Sequence, residues 1–373
     1  MWRRRKPLTR SQPGRSRTMH SPNPIQCVVP DYVLVEIAKR GDEADRDAAL
    51  STLAVSTTLR SARSQAEAAR SAAGTPLVAT AGLREPTMDR VIRDAKTGVD
   101  TGSPIVRKEG DGRVGDPAVD EAFDHFGMTW KFFFEVLARN SIDNAGMTLD
   151  GVVHFGRKVD NAFWDGDQML FGDGSERLFT RLTKSLSVAA HELGHGVIQF
   201  DGPLVYQGQS GALNEHIADA FGVMVHQWVH HETVEEADWL LGAEILAEGV
   251  KGKALRSMKE PGTAFDDPRF GKDKQPAHMK DFVVTAGDNG GVHINSGIPN
   301  KAFFEIASAL GGRSWERAGR ILYATLGHEQ LRRNADFRQF ARLNHRVAGQ
   351  LFGVGSTEAE AVANGWASVG VEI

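Results

Sequence analysis

His191-Glu192-Leu193-Gly194-His195 is the stretch of this chain best equipped for chemistry. Two histidines four positions apart on a helix lie one turn above each other, so both imidazoles can reach one ion. Glu192 starts on the same turn and can hold a water molecule against that ion. Two ligands plus a general base make the core of a zinc hydrolase. The bland alternative is a solvated helix with two surface histidines. Against it, the flanking Val188, Ala189, Leu193, Val197 and Ile198 are apolar, as a buried helix requires. A buried helix carries His, Glu and His inward only when something satisfies them. After a Gly-containing turn a second helix begins near Gly211, and it brings Glu215 back as a natural third ligand, with the fourth position open as in catalytic sites. Asp219, one turn beyond, shares that face and can accept the second ring N–H of a ligand histidine.

A second candidate stretch runs from Asp288 through Asn289-Gly290-Gly291-Val292-His293 toward Pro299. Its glycines let backbone approach a ligand closely before a helix starts near Pro299. His293 is either a capped loop histidine without chemistry or a hydrogen-bond donor to a tetrahedral oxyanion, with Asp288 orienting its ring. Tyr206, on the turn between the two histidine-and-glutamate helices, is either half-buried packing or a second such donor.

These stretches, with Asn161-Ala162-Phe163-Trp164-Asp165-Gly166 and Leu255-Arg256-Ser257-Met258, resemble the thermolysin-like neutral metalloproteases over roughly residues 100 to 373. The resemblance implies an α+β fold of two lobes, with one zinc ion in the cleft between them. The β-containing N-terminal lobe would span 105–200, including the HELGH helix, and a mainly helical C-terminal lobe would span 201–373. It also implies His191, His195 and Glu215 as zinc ligands and Glu192 as the residue that polarises the attacking water. Tyr206 and His293 would stabilise the oxyanion, with Asp288 behind His293 and Asp219 behind His191. Asn161 and the Ala162 carbonyl would hydrogen-bond substrate backbone along an edge strand, and Arg256 would bind a carbonyl on the primed side. Phe179, Leu182, Val188, Leu241, Ile245 and Leu255 would surround the residue after the scissile bond. All six are apolar, so cleavage on the amino side of bulky hydrophobic residues is expected, with selectivity of only about 1–3 kcal/mol per methylene-sized difference.

The chain departs from the large relatives where they bind calcium beside the zinc helices. The matching positions read Ser187, His226, Leu240 and Ala243, with only Asp238 kept. One carboxylate does not make a site that wants six to eight oxygen ligands, so calcium is not expected there. A zinc aminopeptidase is the nearest rival, but it needs an acidic anchor for a free α-amine, and no Gly-x-Met-Glu-Asn stretch is present. A zinc-bearing scaffold without turnover should have lost Glu192 or His293, and both are here.

With 373 residues, 41 % of them hydrophobic, the chain can bury a large core. A net charge of −4 gives no cue for nucleic acid, and no apolar run is long enough to span a bilayer. A monomer acting on protein and peptide substrates is expected. Residues 1–23 are Arg-rich without the apolar stretch of a classical signal, so they read as a disordered tail or as a mis-assigned start ahead of Met19. Export by a route without such a signal, or retention in the cytoplasm, follows. Residues 24–73 resemble the short propeptide of the protealysin-like branch, with Pro30-Asp31 where two prolines are usual. In that reading the propeptide assists folding and covers the cleft, and self-cleavage in the linker 74–104, between about 80 and 105, releases the enzyme. Cys27, the single cysteine, is either a packed small hydrophobe or a thiolate that locks the open zinc position.

The remaining pattern supplies the supports. Leu34, Ile37 and Ala38 form one apolar stripe in the propeptide, and Ala49, Leu50 and Leu53 another. A helix should begin after Asp116-Pro117 and continue through Trp130 to Leu137, with Phe132, Phe133, Phe134 and Val136 inward. Val152–Phe155 and Gln168–Phe171 read as strands, with a turn at Gly172-Asp173-Gly174. Beyond 211 the chain reads as mainly helical, ending in an amphipathic stretch at 337–352 and a last helix near 357–368. His154, His226, His230, His231, His328 and His345 read as surface or packing residues. No internal repeat is present.

Overall fold

A computed structural model describes residues 25–72, 86–202 and 204–373. The basic tail, the alternative start at Met19 and the stretch 74–85 of the expected linker lie outside these residues. Among them, six strands make one sheet in the order β1-β5-β6-β4-β2-β3. The strands are β1 (Gln26–Cys27), β2 (Arg90–Asp94), β3 (Ile105–Lys108), β4 (Leu149–Val153), β5 (Ala162–Trp164) and β6 (Met169–Phe171). β4 pairs in parallel with β2 and β6, and the other pairings are antiparallel. Between α1 (Asp31–Arg40) and α2 (Glu43–Ala72) the N-terminal segment reverses, and its β1 adds the outermost strand beside β5.

α3 (Pro117–Leu137) starts where its sequence says it should: Asp116 accepts hydrogen bonds from the Ala118 and Val119 N–H groups, and Pro117 fixes the first turn. It lies against β4 because Gly151 leaves room; a Cβ there would sit 2.8 Å from the Phe126 ring. α4 (Leu186–Asp201), capped by Ser185, and α5 (Gly208–His230) form the central helix pair. They run antiparallel, since Gly222 lies against Ser187 and His191 while Gly194 lies against Ala218 and Phe221. Gly222 permits this approach, because a Cβ would stand 2.6 Å from the Ser187 carbonyl oxygen.

Past α5 come two short ribbons, β7 (Leu240–Leu241) with β8 (Arg256–Ser257) and β9 (Asp266–Asp267) with β10 (Gly271–Lys272). The helical remainder is α6 (Asp288–Asn295), α7 (Gly297–Leu310), α8 (Ala318–Leu326), α9 (Phe337–Phe352) and α10 (Thr357–Ser368). Among the described residues no helix is long and apolar enough to cross a membrane.

Several expectations need correction. The stretch 231–287 is not mainly helical but carries the ribbons, because its frequent Gly, Pro and Asp residues break helix periodicity. Residues 90–94, placed in the linker, form β2 in the sheet, paired on both sides. The strand expected at 152–155 begins three residues earlier, at Leu149, and ends at Val153 because His154 takes positive φ. Leu50 (50 % exposed) and Phe134 (39 % exposed) face solvent rather than core. Phe134 instead stacks on Trp130 at 4.9 Å.

Candidate active site

The helical spacing of HELGH and the close α4–α5 packing bring His191, His195 and Glu215 together, fully buried, with one donor atom from each within 4.8 Å of the others. His191 Nδ1 lies 2.8 Å from Asp219 Oδ1, and His195 Nδ1 donates to Asn214 Oδ1 at 2.9 Å. Both rings therefore hold their proton on Nδ1 and turn an Nε2 lone pair inward. The two Nε2 atoms stand 3.1 Å apart, with Glu215 oxygens 3.7 and 3.3 Å away. Two lone pairs and a carboxylate facing one another repel unless a cation lies among them. The set of two imidazoles and one carboxylate is the donor chemistry of a catalytic zinc. Glu192 and Glu215 Oε2 agree: they are buried without a hydrogen-bond partner among the described residues. These residues fit zinc.

Electrostatics divides the groups. Burial, and then the Glu215 charge, pushes the Glu192 carboxyl well above the usual range. Burial and the neighbouring His191 hold His195 well below its ordinary value, so its imidazole stays neutral and ligating. Burial opposes ionisation of Asp219, but Arg256 and His191 outweigh it and keep the carboxylate charged. Arg256 donates to both Asp219 oxygens at 2.8–3.1 Å, and Asn300 donates to Oδ2 as well at 2.9 Å.

His293 sits on the last turns of α6, not in an open loop. The backbone reaches it through left-handed conformations at Asn289, Gly290 and Gly291, where glycine costs least. Asp288 lies 2.6 Å from His293 Nδ1 and caps its N–H, and burial of the ring is outweighed by Glu215 and Asp288, which raise it to about 9. Tyr206 donates to Glu215, and its hydroxyl lies 3.2 Å from His293 Nε2. The expected second helix begins at Gly208 rather than Gly211, so Tyr206 stands just ahead of it, buried.

The six residues expected around the apolar pocket are all buried. Val188, Ile245 and Leu255 meet at Gly242, where a Cβ would lie 3.4 Å from each, and Leu241 packs at Gly222 beside His191. Phe179 bridges to Leu246, next to Ile245, and Leu182 follows on a single helical turn below the start of α4. At the calcium-matching positions, Ser187 accepts from the Gly242 N–H at 3.0 Å, and His226 lies 3.8 and 3.6 Å from Glu232 and Glu244.

Residues 26–29, in the segment expected to be a propeptide, lie across this site in extended form. The Val28 N–H donates to the Ala162 carbonyl at 3.3 Å, and the Val29 N–H donates to Asn161 Oδ1 at 2.8 Å. Asn161 Nδ2 returns a bond to the Val29 carbonyl at 2.9 Å, and Arg256 Nη1 donates to the Val28 carbonyl at 2.7 Å. His293 Nε2 donates to the Cys27 carbonyl at 3.1 Å. Asn161, Ala162, Arg256 and His293, all expected to grip substrate, grip the propeptide. Cys27 presents its carbonyl here, not its sulfur. The thiol donates to the Val29 carbonyl at 3.6 Å, packs with Ile25, Phe163 and Leu170, and is absent from the clustered metal donors. Burial, then Asp31, pushes that thiol well above its ordinary value. The packed-hydrophobe reading is the one this geometry holds.

Sequence reasoning missed Asn214, Asn300 and Gln199. Asn214 adjoins Glu215 in the quoted helix, so its place was available; the other two depend on tertiary register. Gln199 Oε1 accepts from Trp164 Nε1 at 3.1 Å and from the propeptide's Arg63 at 3.0 Å.

Comparison with known proteins agrees with the site. Residues 95–199 match the family model described as thermolysin metallopeptidase, catalytic domain, and residues 202–371 match its alpha-helical domain. An "Extracellular metalloprotease" of Pectobacterium carotovorum subsp. carotovorum is 46 % identical, over 94 % of this chain and 97 % of its own length. "Protease PrtS" of a Photorhabdus species is 43 % identical, over 94 % of this chain and 93 % of that protein. The solved precursor of protealysin, a metalloproteinase from Serratia proteamaculans, superposes with a TM-score of 0.83 at 44 % identity, covering 93 % of this chain and 99 % of that one.

Proposed function

Because this chain belongs to the thermolysin family of metallopeptidases and is a metalloendopeptidase with a propeptide, we infer that it is a self-processing zinc enzyme cutting before bulky hydrophobic residues. The observation that carries the reading is the pair of inward Nε2 atoms 3.1 Å apart with Glu215 beside them. A zinc ion held by His191, His195 and Glu215 would lower the pKa of water toward about 7 and act as a Lewis acid on the carbonyl. Glu192 takes the proton of the attacking water and passes it to the leaving amine. Its lack of any other hydrogen bond suits that task. Tyr206 and His293 donate to the oxygen that becomes negative, and Asp288 fixes the His293 ring. Asn161, the Ala162 carbonyl and Arg256 hold the peptide backbone. Phe179, Leu182, Val188, Leu241, Ile245 and Leu255 receive the side chain that follows the cut.

Glu192→Ala should yield a zinc-loaded protein with no turnover on casein; digestion by that variant ends the assignment. His293→Ala should keep zinc and lose roughly 10²–10³ in kcat. A peptide blocked at both ends and cut before Leu or Phe separates an endopeptidase from an aminopeptidase. The propeptide acts as inhibitor, and its release requires a cut ahead of Arg90, since β2 belongs to the sheet. The relative from Pectobacterium carotovorum, named an extracellular metalloprotease, supports an enzyme that works outside the cell, tested by finding it in culture medium. Calcium beside the zinc helices is unnecessary in this reading, and added calcium should leave Tm unchanged.

A further inference from the structure

The propeptide presents one particular bond to the site. Three features fix its register: the Cys27 carbonyl faces His293 Nε2 at 3.1 Å, the Val28 carbonyl faces Arg256 at 2.7 Å, and Val29 is paired twice with Asn161. β1 runs antiparallel to β5, with Cys27 opposite Phe163, so the backbone direction is uniform through the site. The carbonyl that meets the oxyanion donor is that of Cys27, and the amide nitrogen joined to it is that of Val28, a fully buried apolar residue. No proline stands at 27, 28 or 29 to remove a needed N–H; the first is Pro30.

We propose that the Cys27–Val28 peptide bond is itself a cleavage site of this enzyme, cut within the folded precursor apart from the release that occurs ahead of Arg90. This rests on the zinc-peptidase reading above. In the step, water adds to the Cys27 carbonyl carbon, the C–N bond to Val28 breaks, and Glu192 moves one water proton to the departing Val28 amine. Cys27 becomes a C-terminal carboxylate, the second water proton passing to solvent, and Val28 becomes an N-terminus. Nothing is oxidised or reduced, and water is the sole co-reactant.

The cut leaves both sides held. On the primed side, Val28 and Val29 keep Arg256 and Asn161, and α1 stays anchored through buried Val33, Leu34 and Ile37. On the other side, Gln26 keeps the β5 pairing and its bond from Arg63 Nη1 at 2.8 Å. The product is a nicked precursor that remains folded and latent until the release cut.

Intact-mass analysis and N-terminal sequencing of the zinc-loaded full chain, with a blocked peptide added as reporter, test this. The expected result is a species starting at Val28 that precedes release and is absent from the Glu192→Ala precursor. A chain that cuts the reporter and matures while Cys27–Val28 stays whole throughout overturns the proposal and leaves the zinc-peptidase reading standing. A chain that cuts neither itself nor the reporter sinks that reading first. The register has a readout independent of turnover: in metal-stripped precursor, the Val28 and Val29 amides should exchange slowly, and Asn161→Ala should speed exchange at Val29 by at least about tenfold. Exchange at both amides as fast as in a free peptide rules out the register, and with it the cut.

Discussion

The two ligand histidines lean on acceptors of unequal strength. Asp219 behind His191 is a charged carboxylate locked by Arg256 and Asn300, whereas His195 has the neutral amide of Asn214. Removing an acceptor of this kind frees the ring tautomer and typically lowers metal affinity 10- to 100-fold. Asn214→Ala should therefore weaken zinc binding by about that factor, as read by chelator competition, while circular dichroism stays unchanged; zinc held as tightly as before would deny Asn214 this role. Asp219→Ala should be worse for folding, because it leaves the Arg256 guanidinium buried and unpaired, at a cost of about 3–5 kcal/mol. At this scale the sequence was informative wherever one helix settled the geometry. His191, Glu192 and His195 share one face by spacing alone, and so do Glu215 and Asp219. The fork from Arg256 to Asp219 was not legible, since it crosses 37 positions and depends on the ribbon that brings Arg256 back beside α5.

Elements hold these residues through close approach and through charge. At Gly222 the α4–α5 packing leaves no room for a side chain: an added Cβ would stand 2.6 Å from the Ser187 oxygen and 2.8 Å from Leu241. Gly222→Ala should cost roughly 1–3 kcal/mol by overpacking. It should also weaken zinc, because the strain falls between the helix with two ligands and the helix with the third. Lower Tm with unaltered zinc affinity would mean that the pair relaxes without moving its ligands. His154 ties two other elements: it lies 3.0 Å from Asp116, the cap of α3, and 2.9 Å from Asp173 in the turn after β6. Those carboxylates, Asp173 first and against some burial, raise the imidazole to about 9. A folded value above the ordinary one of about 6.5 means stabilisation that is complete below about 6.5 and lost as pH rises through about 9. His154→Ala should thus cost about 1 kcal/mol at pH 6, allowing for partly exposed partners, and close to nothing at pH 10. Urea titrations at both pH values check it, and an equal loss at the two would assign His154 to packing. The start of α3 was legible from Asp116-Pro117, because the cap is a local device. The role of His154 was not, because its partners lie 38 and 19 positions away.

For the whole molecule, one buried side chain makes several of the contacts that tie the propeptide helices to the catalytic lobe, beside ion pairs such as Arg177 with Asp42 and Asp45. Arg63 on α2 is only 6 % exposed, although an Ala-, Glu- and Arg-rich helix reads as having a solvated charged face. It donates to Gln26 Oε1 at 2.8 Å, to the Trp164 carbonyl at 3.2 Å and to Gln199 Oε1 at 3.0 Å. One guanidinium therefore joins β1, β5 and α4. Its planar fork matches three acceptors at once, which a lysine could not do. Hydrogen bonds to a charged group contribute about 1.5–3 kcal/mol each, but here the freed acceptors regain water when the propeptide lifts away. Arg63→Ala should accordingly loosen β1 by about 1.4–2.8 kcal/mol, raising the precursor's residual activity on an added peptide roughly 10- to 100-fold. Because Arg63 departs with the propeptide, enzyme matured from the variant should match wild type in kcat/KM. That match separates a weakened latch from a damaged site. A precursor as silent as wild type would leave the hold on β1 to its other partners, Asn161, Ala162, Arg256 and His293.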